Sequence, residues 1–410
     1  MIPAPSSDHV MLVAGEPSGD ALGAQLMRAL RARGSRPIVF SGVGGEAMAG
    51  EGLASLYPID DLAVMGLQQV VPRLPTILRR VRQTVRHALE LEPDAVILID
   101  SGDFNYRVAR GLKRAAFPAP IIKYVSPQVW ASRPGRVVKI ARVFDHVMTL
   151  LPFEPPYYER VRLPATFVGH PVTERVHLRG QGKAFRALHG FRDDAPVVAV
   201  LPGSRVSEIV FHLPIFAETV ARLRRALPDL RVVVPTVRHI AGEVRKAVDT
   251  WPGHSVVIEG DAARYAAFEA SNAALAASGT VSLELAQAGV PTVVAYRVGW
   301  LTGAIALRLM TVRHISLVNL VLGREAVPEF VQDRCRAELL APAVLTLLTD
   351  GEARDRQTEA LQEAVAALRV EGETPSARTA ATVLEVMRAA QSAVAKRLAA
   401  ATETSTGPNR

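Results

Sequence analysis

The chain reads as an α/β protein made of two parallel-sheet halves, and three observations predict it. Short continuous apolar runs recur along the sequence, and many end in a glycine- or hydroxyl-bearing turn that opens a helix. The same strand-loop-helix logic restarts near Pro196. With 410 residues, 49% of them hydrophobic, the chain can bury large cores and exceeds one ordinary domain.

The clearest element is 93–105, PDAVILIDSGDFN. Ala95 to Ile99 has no apolar-polar alternation, which suits a parallel strand covered on both faces. Asp100 and Asp103 follow the last buried residue, where ligands sit in open α/β sheets. Asp at such a turn also serves as a helix cap, and Asp100 is read that way. Asp103 is the candidate for chemistry.

Ahead of it, Val10 to Ala14 forms a first strand, followed by GEPSGD and a helical spacing through Leu22, Leu26, Met27 and Leu30. Glu16, Ser18, Gly19 and Asp20 therefore stand at a helix start, which favours an anion. A tight turn capped by Ser18 or Asp20 explains them equally well. The spacing is not GxGxxG, so no dinucleotide fingerprint is present. Pro37 to Val43 gives a second strand running into Gly44 and Gly45.

From Leu62 the segment LAVMGLQQVVPRLPTILRRVRQTVRHAL has apolar residues spaced for one helix face, with Arg73, Arg79, Arg80, Arg82 and Arg86 interleaved. It suits a crossover helix with solvated arginines, or a helix lying on an anionic membrane. Gly66 and Pro72 are expected to break the preceding LAVMGLQQVV, around Met65, into short pieces with exposed apolar surface. After the organising strand, Ile121 to Val125 leads into a polar and aromatic loop with Ser126 and Trp130, and Arg133, Arg136 and Lys139 close behind. The expected organisation is a first domain over 1–170, a linker over 171–195, a second domain over 196–370, a helix over 371–398 and a disordered tail over 399–410.

In the second half, Val197 to Leu201 runs into PGSRVSEI. Gly203 and Ser204 permit a tight turn, and Arg205 adds a bidentate cation at a helix N-terminus, a combination suited to a diphosphate. Ala273 to Ala277 runs into Ser278, Gly279 and Thr280, with Glu284 one turn along the same face. There a carboxylate accepts ribose hydroxyls while the helix end holds phosphate, although hydroxyl caps and early-turn glutamates are also ordinary helix starts. Asn319 lies between apolar residues and needs a partner if buried.

Composition excludes several classes. The formal charge of +8 favours anionic partners, but only 5% of residues are aromatic and no basic tract alternates with them, which argues against nucleic acid. A lone Cys335 offers no disulfide framework or cysteine metal cluster and reads as a small buried hydrophobe. The N-terminus lacks a signal-peptide pattern and the best apolar run is too short to span a bilayer, so a cytoplasmic protein touching the membrane from that side is expected.

Taken together, AGEPSGD, GVGGEAM, LAVMGL, IDSGDFN, YVSPQVWA, FVGHPV, LPGSRVSEI, ASGTVSLELAQAGVP, AYR and SLVNLVLGRE resemble the lipid-A-disaccharide synthase family. The resemblance implies a GT-B glycosyltransferase, two Rossmann-like domains facing a cleft, on the inner face of the bacterial inner membrane. It implies a UDP-2,3-diacylglucosamine donor and a 2,3-diacylglucosamine 1-phosphate acceptor, giving lipid A disaccharide 1-phosphate and UDP.

Asp103 matches the family's candidate base and Asp94 another acidic position linked to activity. Gly203, Ser204, Arg205, Ser278, Gly279, Thr280, Glu284 and Asn319 are assigned to UDP. Glu16, Ser18, Gly19, Asp20, Met65, Ser126 and Trp130 are assigned to the acceptor. Gly102 stands where the family has Pro, and Ser132 where it has a second Trp. No cofactor or metal is expected, and a homodimer is left open. Another UDP-sugar enzyme of this fold, such as a UDP-N-acetylglucosamine epimerase, or a non-catalytic lipid or nucleotide carrier are the alternatives.

Overall fold

Two parallel six-stranded sheets carry the chain, each wrapped by its own helices. The computed structural model describes residues 7–405 apart from 63–66, 133, 179, 301–302 and 304–307, and leaves the side chains of 67–72, 175–178 and 397–405 undescribed. Met65 and Arg133 thus lie outside the described residues.

The first domain comprises 1–171 and 370–410. Its strands are β1 (Asp8–Ala14), β2 (Ile38–Val43), β3 (Ala95–Ile99), β4 (Ile121–Tyr124), β5 (His146–Thr149) and β6 (Ala165–Phe167), in the order β2-β1-β3-β4-β5-β6. The helices between them are α1 (Pro17–Arg33), α2 (Glu46–Gly50), α3 (Leu67–Leu91), α4 (Gly102–Arg114), α5 (Arg136–Ala141) and α6 (Pro155–Glu159). All five residues of β3 are fully buried, as a strand covered on both faces requires. The order reverses between β1 and β3, so the loops leaving those two strands flank the switch point where such sheets bind ligands.

The second domain comprises 172–369. Its strands are β7 (Val197–Leu201), β8 (Arg231–Thr236), β9 (Ser255–Glu259), β10 (Ala273–Ala277), β11 (Thr292–Tyr296) and β12 (Glu329–Val331), in the order β12-β11-β10-β7-β8-β9. The switch point lies between β7 and β10. Helices α7 (Gly182–Leu188), α8 (Val206–Ala226), α9 (Ala241–Val248), α10 (Asp261–Ala270) and α11 (Val281–Ala288) connect the strands as far as β11. Cys335 is fully buried in this domain's core.

Three expectations change. Residues 171–195 are not a free linker: a 3-10 segment, Pro171–Leu178, precedes α7. The Glu269 carboxylate accepts the N–H groups of Gly180, Gln181 and Gly182, and Phe185 and Phe191 are buried in the second domain's core. The C-terminal helix, Pro375–Ser405, returns to the first domain, where Ala380, Val383, Leu384 and Met387 are buried among residues of β1 and β3. It also runs through 399–405, expected as tail. Finally, α3 continues through Pro72, because a proline there forfeits one hydrogen bond near the start of a long helix whose later turns are held by packing.

Candidate functional site

At the first switch point the loop after β1 meets the turn after β3. A Cβ on Gly15 would stand 2.3 Å from the Ser101 hydroxyl and 2.6 Å from its Cβ, so the Ser101 side chain packs into space that glycine leaves. Asp103 projects from the first turn of α4, and its Oδ1 lies 2.5 Å from the Arg136 guanidinium. Its side chain is 88% exposed, open to an incoming hydroxyl. Glu16, at the N-cap of α1, is half-buried, and Ser18 is exposed in the first turn of that helix, with Gly19 buried beneath.

The other first-domain candidates are placed differently. Asp94 sits at the amino end of β3 and Asp103 beyond its carboxyl end. Five residues of strand, about 16 Å at the usual rise, separate the two edges, so they share no site. Asp94 instead accepts the His9 N–H at 2.8 Å, tying β1 to β3. Asp20 is buried, its carboxylate accepting the N–H groups of Gly45, Ala47 and Met48 at 2.7, 2.9 and 3.1 Å, which caps α2.

Ser126 and Trp130 are buried too. The Ser126 hydroxyl pairs with the Tyr158 hydroxyl at 2.7 Å, and the Trp130 indole donates to Glu154 at 3.0 Å. They shape the loop from within rather than offering polar groups to a ligand. Glu154 also accepts the Leu150 and Leu151 N–H groups, and burial pushes its carboxyl up to about 7.

At the second switch point, Gly203 has φ +118°, a conformation that suits glycine. Ser204 and Arg205 are exposed at the start of α8. Glu208 reaches back to their backbone N–H groups, and its Oε1 is 2.8 Å from the Arg205 guanidinium. Beside them, Gly279 and Thr280 are exposed at the start of α11, and Ser278 donates to the Ile315 carbonyl at 2.8 Å.

Glu284 faces Arg264 at 3.2 Å, and Arg264 also meets Asp261 at 3.2 Å. Arg264 lines a cavity of about 400 Å³ at the ends of β8 and β9, with Thr236, Arg238 and Glu259. The Thr236 hydroxyl is buried there without a protein partner.

Asn319 commits its amide to bonds within the protein. Its amide nitrogen donates to the Val327 carbonyl and to Glu329, both at 2.7 Å, and its oxygen accepts the Ala326 and Val327 N–H groups at 2.8 and 2.9 Å. All four hydrogen-bonding positions of the amide are filled. Glu329 in turn accepts the Ile315 and Ser316 N–H groups, so Asn319 orders the loop on which Ser278 rests.

Sequence reasoning missed Glu208, Glu329 and His212. His212 is fully buried; its Nδ1 meets the Pro202 carbonyl at 2.7 Å and its Nε2 accepts the Arg297 N–H at 2.9 Å, joining the loops after β7 and β11. These partners fix a neutral ring protonated at Nδ1, and burial lowers its pKa.

Two parallel α/β domains, each with loops gathered at its own switch point, define the GT-B class of fold. Solved structures of that architecture superpose along the chain. A UDP-GlcNAc 2-epimerase from Neisseria meningitidis, bound to UDP-GlcNAc, gives a TM-score of 0.62 at 10% identity over 93% of this chain and 99% of that one. CalG4, the calicheamicin glycosyltransferase, gives 0.59 at 16% identity with the same coverage.

These likenesses establish the fold alone, since epimerases and transferases share it. Sequence decides the family: the profile for lipid-A-disaccharide synthetase matches residues 10–383, and the chain belongs to that family. The lipid-A-disaccharide synthase of Rhodospirillum centenum is 50% identical over 92% of this chain and 94% of its own length. That of Paramagnetospirillum magneticum is 48% identical over 92% and 97%.

Proposed function

We propose that this chain transfers a 2,3-diacylglucosaminyl group from UDP to the 6-hydroxyl of 2,3-diacylglucosamine 1-phosphate. The observation that carries the reading is Asp103, an exposed carboxylate at the switch point of a domain in which the buried Asp20 and Glu154 are committed to a helix cap and to hydrogen bonds.

Asp103 takes the hydroxyl proton as that oxygen attacks the anomeric carbon, and the bond to UDP breaks on the opposite face with inversion. The leaving diphosphate gathers negative charge. Arg205 and the start of α11 at Ser278 to Thr280 stabilise it. The cavity beside Arg264 takes the nucleoside end, with Glu284 turned to the ribose. Glu16 and Ser18 contribute to the acceptor.

Exposed Leu74 and Leu78 on α3, flanked by exposed Arg73, Arg79, Arg82 and Arg86, support docking on an anionic bilayer. Ile77, Val81 and Val85 pack against the core, so one helix serves both as crossover and as surface. This surface and the family resemblance together support a position on the inner face of the inner membrane. Among the described residues no helix is long and apolar enough to cross a membrane.

Incubating the purified protein with both diacylated substrates tests the reading: disaccharide phosphate and UDP should appear together. Conversion of the donor without acceptor would instead point to an epimerase, and binding without turnover to a carrier. Light scattering of the same sample decides between monomer and homodimer.

A further inference from the structure

Where β3 hands over to α4, two successive non-glycine residues hold left-handed backbone, Asp100 at φ +46° and Ser101 at φ +40°. Aspartate tolerates that conformation better than most residues and serine does not, so two such residues in succession need support from their surroundings. Beneath the turn lies Lys123, 1% exposed and in register with Leu98 across the sheet. Its ammonium donates to the Leu98 carbonyl at 3.4 Å and to the Asp100 carbonyl.

From the helix side, the fully buried Asn105 donates to the carbonyls of Ile99 and Asp100, both at 2.9 Å. The Asp100 carbonyl therefore receives donors from two elements. An ammonium in a sheet interior is costly to desolvate, and burial holds that of Lys123 down to about 8 against the opposing pull of the Asp100 charge. An aliphatic residue would fill the space at lower cost, but it would leave the turn without this donor.

We propose that Lys123 and Asn105 form a cross-tie that fixes the Asp100–Ser101 turn and so aims the first turn of α4, which makes both of them positioning residues for proton abstraction by Asp103. The inference rests on the assignment of Asp103 as the base. It does not require either residue to touch substrate.

A double-mutant cycle on kcat, with Asp103→Asn as the second change, separates positioning from general support of the fold. Lys123→Met should lower kcat by about 30-fold while both KM values stay within about threefold. In the Asp103→Asn background the same change should cost less than about twofold, since the group it serves is already gone. Equal losses in both backgrounds, or unchanged kcat in the single variant, would overturn the proposal and leave Asp103 in place. Near-normal turnover of Asp103→Asn itself would remove the base assignment and the proposal with it. If Lys123→Met proves insoluble, Asn105→Ala enters the same cycle from the helix side, with the same outcomes deciding.

Discussion

Glu208 takes the Ser204 backbone N–H at 2.9 Å with the same oxygen that lies 3.2 Å from the Arg205 N–H. The turn that looked ready for a phosphate is thus filled by the protein's own carboxylate. A Cβ on Gly203 would sit 2.6 Å from that carboxylate and 2.7 Å from the Glu208 Cβ, at a φ that already disfavours any side chain. Gly203→Ala should therefore destabilise the protein by about 1–3 kcal/mol and weaken UDP binding. Thermal unfolding and calorimetry would show both, and an unchanged Tm would contradict the account.

Arg205 gives a cleaner separation because its side chain is 55% exposed and its buried partner Glu208 keeps the Ser204 and Arg205 backbone N–H groups without it. Arg205→Ala should raise donor KM by about 10-fold or more and reduce kcat less, with Tm nearly unchanged. Steady-state kinetics checks the split; unaltered UDP affinity would remove Arg205 from the donor site.

Asp94 and Asp103 should diverge on mutation, because they occupy opposite edges of one sheet. Asp103→Asn should reduce kcat by about 100-fold or more at unchanged stability, the usual weight of a general base. Asp94→Asn, which still accepts the His9 N–H, should keep turnover within about threefold, whereas Asp94→Ala should lower Tm through loss of that bond. A kcat collapse in Asp94→Asn would overturn its structural role.

The strands and both switch-point loops were legible because a parallel strand writes a continuous apolar run, and the turn after it needs glycine or hydroxyl residues. The position of Asp103, just beyond the carboxyl end of β3, was readable for the same reason. The buried polar framework was not. Asp20, Ser126, Trp130 and Asn319 look like binding residues in a one-dimensional text, since a polar residue near a loop carries no mark of which way it faces. Their partners lie 24 to 32 residues away for Asp20, Ser126 and Trp130, and come from other elements. Lys123 did leave a signal, a lysine within the apolar run IIKYV. The return of the C-terminal helix to the first domain left none, since its amphipathic spacing names no partner.

Glu154 makes stability of the first domain depend on pH with a sign opposite to that of an ordinary salt-bridged acid. Burial raises its pKa from 4.5 to about 7. Between those values the native state keeps a proton that the unfolded chain has released, so the contribution is full below about 4.5 and is lost as pH rises through about 7. The loss is bounded at roughly 3 kcal/mol for such a shift. Burial of His9 and His146 lowers their pKa values and acts the other way, so the informative quantity is the difference between wild type and Glu154→Gln. Gln keeps one acceptor oxygen but cannot titrate. The variant should be the less stable form at pH 5, where Glu154 is protonated and well bonded, and the gap should narrow towards pH 8. Denaturant unfolding at several pH values measures it, and a gap that stays constant with pH would show that Glu154 does not titrate in this range.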